Sequence, residues 1–301
     1  MAEDKEIVLV TGAGSGFGLE AAMLLASRNY RVFGSVLTDK EDEALRAEAG
    51  RRGLSVEVLQ MDVTKPEQVD RAVKSLIAAA GRVDSVVQFA GMGLRGFFED
   101  LDLDEIKRVY DVNVFGIMTV TQAVLPYMRQ QRRGRIVMTT SAAGRMGSLG
   151  IGGYCSSKFA IEGLAECLRQ EVWPFGIFIS LLEPGLVATP HFTVNRNRAK
   201  RAVDPSSPYY PWFCQHEKMV DDLLARNKFT AVDVAETVYK ILTAKKPRLH
   251  YIVGFKVKVL VNLKRYSPGE WFESLYFSIV RRLVTKPKVQ ATTLSGPGIT
   301  K

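Results

Sequence analysis

The sequence predicts a doubly wound α/β fold: a mostly parallel sheet with helices on both faces. Three observations predict it. Short, unbroken apolar runs alternate with segments of helical period from the N-terminus to about residue 190. The connections between them are short, and the first run ends in a glycine-rich turn. Unbroken apolar strands suit a parallel sheet buried on both faces, and right-handed crossovers wind such units into two helical layers.

Taken in order, residues 7–10 are a first strand of four apolar residues, and 17–28 carry Leu19, Met23 and Leu24 at helical spacing. A strand at 31–36 and a helix at 41–50 follow, then a strand at 56–60. Residues 66–80 form a helix, with Pro66 in its first turn and Gly81 just past its end. Residues 83–89 are a fourth strand, 103–129 one long helix, and 135–140 a fifth strand. A helix at 153–172, stopped by Pro174 and Gly176, leads to a sixth strand at 177–182. Residues 251–254 can add a last strand.

No internal repeat or low-complexity linker divides the chain, so residues 1–285 are expected to be a single dinucleotide-binding and catalytic domain. Within it, 189–230 break the rhythm with prolines and aromatics, including the run Tyr209 to Phe213, and are expected to form an irregular substrate lid. Residues 255–285 form a basic amphipathic helical extension, and 286–301 a mobile tail.

The first chemical motif is the turn from Thr11 to Gly18. Glycines at 12, 16 and 18 permit a tight turn and close backbone approach to a pyrophosphate, and a helix N-terminus beyond them favours negative charge. The second is Tyr154 and Lys158, four apart at the start of a helix and so on one face. A free phenol titrates near ~10, and a neighbouring cation lowers that value, making tyrosine a usable acid or base. Each motif alone has an ordinary explanation: a flexible turn, or a common surface pair. Ser141, at the end of the fifth strand where doubly wound sheets bind ligands, strengthens the chemical reading.

With these residues, the chain resembles the short-chain dehydrogenase/reductase family of single-domain Rossmann type. The matching positions are Thr11 to Gly18, Asp62-Val63, Ala90-Gly91, Asn113, Ser141, Tyr154 with Lys158, and Pro184-Gly185 followed by Thr189. Residues 35–40 and 59–66 are similar to the steroid, retinol and 3-hydroxybutyrate dehydrogenase branch. The resemblance implies a secondary alcohol and a ketone or aldehyde interconverted by hydride transfer. Tyr154 would exchange the proton, Ser141 polarise the substrate oxygen, Lys158 bind the nicotinamide ribose, and Asn113 hold a water of the proton relay. Gly12, Ser15, Gly16, Phe17 and Gly18 would hold the pyrophosphate side of the cofactor. Asp62 and Val63 would line the adenine, with Ala90 and Gly91 behind it, and Val187 and Thr189 would meet the carboxamide. One departure stands out: Gln88-Phe89 precede Ala90, where the family usually has two asparagines.

The cofactor is expected to be NAD or NADP, with NAD favoured. Asp39 after the second strand suits a ribose 2′-hydroxyl, Lys40 suits a 2′-phosphate, and Ser15 removes one common phosphate partner. The aromatic lid points to a lipophilic, steroid- or retinoid-like substrate, with packing against the core as the competing explanation. Two other functions compete: a 3-oxoacyl-thioester reductase acting on carrier-bound substrates, and an inactive nucleotide-binding scaffold or sensor.

Charge is concentrated at one end. Residues 245–301 hold twelve Lys or Arg against Glu270 and Glu273, which accounts for the whole net charge of +9. No nucleic-acid motif accompanies it, so no nucleic-acid partner is expected. The stripe Trp271, Phe272, Leu275, Tyr276, Ile279, Val280, Leu283 is expected to pack on the core or a second copy in a homo-oligomer. A peripheral membrane or acyl-carrier contact competes, because basic residues flank it. No leader or spanning segment is evident and no cysteine pair or metal-binding spacing occurs, so a cytoplasmic protein with no metal, and at most peripheral to a membrane, is expected.

Overall fold

The computed structural model describes residues 5–187 and 196–285. Seven strands form its sheet: β1 (Ile7–Thr11), β2 (Arg31–Val36), β3 (Glu57–Gln60), β4 (Ser85–Gln88), β5 (Gly134–Thr139), β6 (Ile177–Pro184) and β7 (His250–Val253). They run parallel in the order β3-β2-β1-β4-β5-β6-β7. The chain winds outward from β1 to β3, then returns to lay β4 on the other side of β1. Loops leaving β1 and β4 therefore diverge, and a crevice opens at their carboxyl ends.

Burial explains why β1 is apolar without alternation. Ile7 and Leu9 enter one core cluster, with side chains of α3 (Pro66–Ala80), α5 (Ile117–Gln131) and α6 (Gly152–Val172). Val8 and Val10 enter the other, with α1 (Gly16–Ser27), α2 (Asp39–Arg51) and α8 (Ala231–Thr243). Both faces of the strand are thus shut off from water. Fully burying each such side chain contributes roughly 1.5–3 kcal/mol, so a polar residue in β1 is costly whichever way it points.

Three expectations are corrected. The long helix of 103–129 is α4 (Leu103–Tyr110) and α5, joined by a π-helical turn over Asp111–Gly116. Long-range contacts hold that turn: the Asn113 amide bonds both backbone groups of Met92, and a Cβ on Gly116 would lie 2.7 Å from Val63 Cγ2. The aromatic run is no irregular loop, since Tyr210, Pro211, Trp212 and Phe213 open α7 (Tyr210–Ala225). Proline is tolerated there because the first turn has no intrahelical acceptor for its missing N–H. Residues 189–195 of the expected lid, and the tail 286–301, lie outside the described residues.

The third correction concerns the C-terminal stripe. α9 (Phe255–Tyr266) and α10 (Trp271–Thr285) follow β7, but of the stripe only Phe272 is buried. Trp271, Leu275 and Ile279 are 42–55% exposed, as are Val259 and Leu263 on α9 within about the same range. Among its described side chains the stripe is buried only through Phe272, which overturns the core-packing half of the expectation and leaves the second-copy half as it stood; Leu283's side chain lies outside the described residues. Among the described residues no helix is long and apolar enough to cross a membrane.

Candidate active site

A cleft of about 380 Å³ lies at the carboxyl ends of β1, β2, β4, β5 and β6. Gly12, Ser15, Gly16, Phe17 and Gly18 line it from the first turn, Asp62 and Val63 from beyond β3, and Ala90 and Gly91 from beyond β4. Ser141, Tyr154 and Lys158 line its other end. Residues up to 173 positions apart in the chain thus share one cavity.

The first turn fits a dinucleotide pyrophosphate by shape and by charge. Gly12 sits at φ 65°, and a Cβ there would come within 2.9 Å of Ala90 N. A Cβ on Gly18 would lie 2.1 Å from Gly12 O, so the helix can approach the strand end only without a side chain. The N-cap Ser15 makes no side-chain cap bond, which leaves the first amides of α1 available to an anion. Thr11 serves structure here, its Oγ1 accepting from Ala90 N at 3.1 Å and tying β1 to the loop after β4.

At the far end, Lys158 Nζ donates to Thr139 O at 2.9 Å and lies 5.6 Å from the centroid of the Tyr154 ring. Ser141 Oγ donates to Pro184 O at 3.4 Å and accepts from Ala143 N at 3.1 Å, and its hydroxyl favours the ionised form of the Tyr154 phenol. Burial pushes that phenol up to about 12, with the Ser141 hydroxyl offsetting part of the shift. Burial pulls the Lys158 ammonium down to about 8, with Glu162 acting in the opposite direction. The expected lowering of the phenol by its neighbouring cation is not among the causes of this shift, which desolvation dominates.

Asn113 lies below this end, buried on the π turn. Its Nδ2 donates to Met92 O at 2.8 Å and to Ser157 Oγ at 3.1 Å, and its Oδ1 accepts from Met92 N at 2.7 Å. Both amide donors are therefore engaged with protein, leaving an Oδ1 lone pair and the main-chain carbonyl for other partners. The unusual pair before Ala90 divides its duties. Gln88 is buried and donates to Thr121 Oγ1 at 2.9 Å, while Phe89 lines the cleft with its ring 6.1 Å from that of Phe17.

Two of the expected cofactor residues do not line the cleft. Asp39 opens α2 and Val187 is buried, and neither lines the cleft; Thr189 is outside the described residues. The acid beyond β2 that does line it is Glu41. Its Oε2 accepts from Leu37 N at 2.7 Å at the end of β2, and a Cβ on Gly14 would strike it at 2.4 Å. The spacing Thr38-x-x-Glu41 is a capping signature, so a sequence signal for Glu41 existed, although it reads as helix initiation. The described aromatics of the expected lid do not line the cleft. Phe213 is fully buried in a small separate core with Leu94, Val109 and Ala202, and Tyr209 stacks on Phe97 at 5.4 Å.

Comparison with known proteins agrees with this geometry. A family model described as short chain dehydrogenase matches residues 6–200. A 3-ketodihydrosphingosine reductase of Bacteroides thetaiotaomicron is 35% identical over 85% of this chain and 90% of its own length. The 17-beta-hydroxysteroid dehydrogenase type 1 of Homo sapiens is 35% identical over 88% of this chain and 82% of its own. The crystal structure of an actinorhodin polyketide ketoreductase with NADPH superposes with a TM-score of 0.72, at 26% identity, over 83% of this chain and 96% of that one.

Proposed function

The chain belongs to the short-chain dehydrogenase family and is an NAD(P)-dependent oxidoreductase acting on CH–OH groups; we propose that it interconverts a lipophilic secondary alcohol and its ketone, with NAD as the preferred dinucleotide and Tyr154 as the proton carrier. The observation that carries this reading is the meeting of Ser141, Tyr154 and Lys158 in the same cleft as the glycine turn.

When bound, the dinucleotide supplies or accepts the hydride at the carbinol carbon. The protein's own groups handle the oxygen and its proton. Ser141 Oγ donates to the substrate oxygen and holds it beside Tyr154. In reduction, the phenol, protonated at neutral pH, gives its proton to the developing alkoxide; in oxidation, the phenolate takes the proton of the alcohol. Lys158 holds the nicotinamide ribose and places positive charge near the phenol. Asn113 fixes the loop after β4 through Met92 and leaves its carbonyl to a water of the relay. Tyr154→Phe is expected to lower turnover by roughly 10²–10⁴-fold while NADH still binds with near wild-type affinity. Initial rates and NADH fluorescence titration check this, and retained turnover would refute the role of Tyr154.

The preference for NAD rests on Glu41, whose carboxylate at the end of β2 faces the place of the adenosine ribose and would repel a 2′-phosphate. Glu41→Gln should narrow the ratio of kcat/KM between NAD and NADP. A strong NADP preference that disappears in Lys40→Ala would sink the assignment. A lipophilic substrate is supported by the apolar side chains of Phe89, Met92 and Val112 in the cleft, and by what the two relatives are named for. The panel to assay is estradiol, all-trans-retinol and 3-ketodihydrosphingosine against an acetoacetyl thioester; preference for the thioester would favour carrier-bound substrates instead.

The face of α9 and α10 is read as a contact with an anionic membrane surface. Exposed Phe255, Val259, Leu263, Tyr266, Trp271 and Phe277 lie among Lys256, Lys258, Lys264, Arg265, Arg281 and Arg282. Flotation with vesicles containing anionic lipid is expected. Absence of flotation with self-association in sedimentation would make a second copy of the chain the occupant of this face. In this reading residues 5–285 act as one unit, the sheet holding the cofactor and the C-terminal helices guarding the substrate end.

A further inference from the structure

Behind Lys158, on the side away from the cleft, lies a cluster of ionisable groups that the reaction described above does not use. Glu162 stands one helical turn beyond Lys158 on α6, and Glu183 is fully buried on β6. His250 opens β7 and Arg145 follows Ser141 in the loop after β5. His250 Nδ1 is 2.6 Å from Glu183 Oε1 and 3.6 Å from Glu162 Oε2. Arg145 Nη1 lies 3.3 Å from Glu162 Oε2, 3.9 Å from Glu183 Oε1 and 2.8 Å from the His250 ring. Thr140 donates to Glu162 Oε1 at 2.7 Å.

Both carboxylates and the imidazole lie within 4.8 Å of one another, a spacing that can hold a metal ion. Here the Arg145 guanidinium already lies among them, so the cation these groups call for is supplied by the chain. One positive charge does not satisfy two buried carboxylates, however. Glu183 Oε2 is buried with no hydrogen-bond partner, so the cluster is one donor short. A shared proton relieves both shortages, since like charges in a buried site do not ionise together cheaply.

The cluster is also wired to the catalytic end of the cleft. Glu162 binds Thr140 and Arg145, which bracket Ser141, and Lys158 is held by Thr139 on the same strand end. A side chain on Gly144 would meet Glu162 Cγ and Oε1 at 3.2 Å and Lys158 O at 3.1 Å, so the loop is moulded onto this glutamate.

We propose that Arg145, Glu162, Glu183 and His250 form a buried proton-holding cluster in which Glu162 is a positioning residue that governs the charge on Lys158 and thereby the pH range of the reaction. This rests on the reading of Lys158 as the partner of Tyr154. The groups facing Glu162 are Lys158 from its own helix, Thr140 and Arg145 from the end of β5 and its loop, Glu183 from β6 and His250 from β7. Burial first, then Glu183, raise the Glu162 carboxyl to about 7, with Thr140, Arg145 and His250 offsetting part of the shift. Above that pH an ionised Glu162 favours the Lys158 ammonium, which favours the Tyr154 phenolate.

The test compares pH profiles of wild type, Glu162→Gln and Glu162→Asp, assayed with whichever alcohol of the panel is turned over. In wild type, log kcat should fall on the alkaline side as Lys158 loses its proton near about 8. In Glu162→Gln that limb should move down by about one pH unit, while KM for both substrates stays within about twofold. Glu162→Asp should keep the limb near its wild-type place. A purely structural role would lower Tm and leave the profile in place, and superimposable profiles overturn the proposal.

Infrared spectroscopy of the wild-type protein without substrate gives a readout independent of turnover. A buried carboxylic-acid C=O band should disappear as pH rises through about 7, and its absence from this range overturns the proposal whether or not a substrate is found. Should Glu162→Gln fail to fold, His250→Gln takes its place. Removing a group that favours ionised Glu162 should move the infrared band to higher pH, and an unmoved band overturns the idea.

Discussion

The cluster around Glu162 has a counterpart around Glu217, built with the opposite surplus. At Glu162 and Glu183 two buried carboxylates share one arginine. At Glu217 three arginines share one buried carboxylate: Arg95 at 2.5 Å, Arg198 at 2.8 Å and Arg196 at 3.2 Å. Asp221 on α7 also pairs with Arg196. Burial alone would raise the Glu217 carboxyl, yet Arg95 and its neighbours hold it below the usual range, whereas the Glu162 carboxyl is pushed up to about 7. Equal burial therefore gives opposite outcomes, decided by which sign is in excess. The arginine-rich cluster stays ionised near neutrality and clamps α7 to the loops at 95 and 196–198. The carboxylate-rich cluster holds Glu162, its carboxyl raised to about 7, one helical turn from Lys158. One acts as a fastener; the other, on the proposal above, as a switch.

The comparison is broken most severely at Glu217. Glu217→Gln leaves three guanidinium groups facing a neutral amide, and is expected to cost about 3–5 kcal/mol of stability by urea denaturation. A change under about 1 kcal/mol would show that the arginines find other partners, and the fastener reading would fall.

The next effect comes from acid. His216, beside Glu217, is buried, and burial and then Arg95 depress its imidazole to about 4 from an ordinary 6.5. A group depressed on folding contributes stability above its unfolded value, and that stability is lost as pH falls through the folded one. Between about pH 6.5 and 4, His216 should therefore cost on the order of 2–3 kcal/mol, a slope that His216→Asn flattens. Glu162 has the reverse sign. Its folded value lies above its unfolded value of 4.5, so its contribution is present below 4.5 and fades as pH rises through about 7. Urea midpoints across this range should accordingly rise on acidification in the Glu162 component, by about 1–2 kcal/mol judged against Glu162→Gln, and fall in the His216 component.

The smallest effect is a control at the surface. Lys264 and Glu273 pair at 3.5 Å between α9 and α10, with side chains 29% and 53% exposed. Glu273→Gln should change stability by no more than about 0.5 kcal/mol, because water and salt screen such a pair. A larger loss would place this pair with the buried clusters and blur the distinction drawn from them.

The strands were legible because burial on both faces leaves an unmistakable local trace. β2 spans 31–36 as expected, and α3 runs from Pro66 to Ala80 between the predicted stop and start signals. The glycine turn, Ser141, Tyr154 and Lys158 were legible for a similar reason, since their chemistry depends on short spacings. The break at Asn113 was not, because it depends on Met92 and on Ser157, 44 residues away. Helical periodicity persists through a π turn, so the pattern gave no warning. The aromatic run at 209–213 misled because apolar residues that line a pocket and those that fill a small core look alike in one dimension. Phe213 fills a core.

By itself, then, the amino-acid sequence determined the layered α/β architecture, the place of the glycine turn and the placing of Ser141, Tyr154 and Lys158 in one cleft with it, all of them set by near-neighbour steric and hydrophobic rules. Tertiary structure alone decided which acid reaches the end of β2, where Glu41 rather than Asp39 faces the cleft. It also decided the ionisation of the buried groups. Arg95 meets Glu217 across 122 residues and Thr140 meets Glu162 across 22, and the charge of Glu217 and Glu162 depends on desolvation and on partners distant in sequence. Those energies arise only when the chain has closed around them and expelled water.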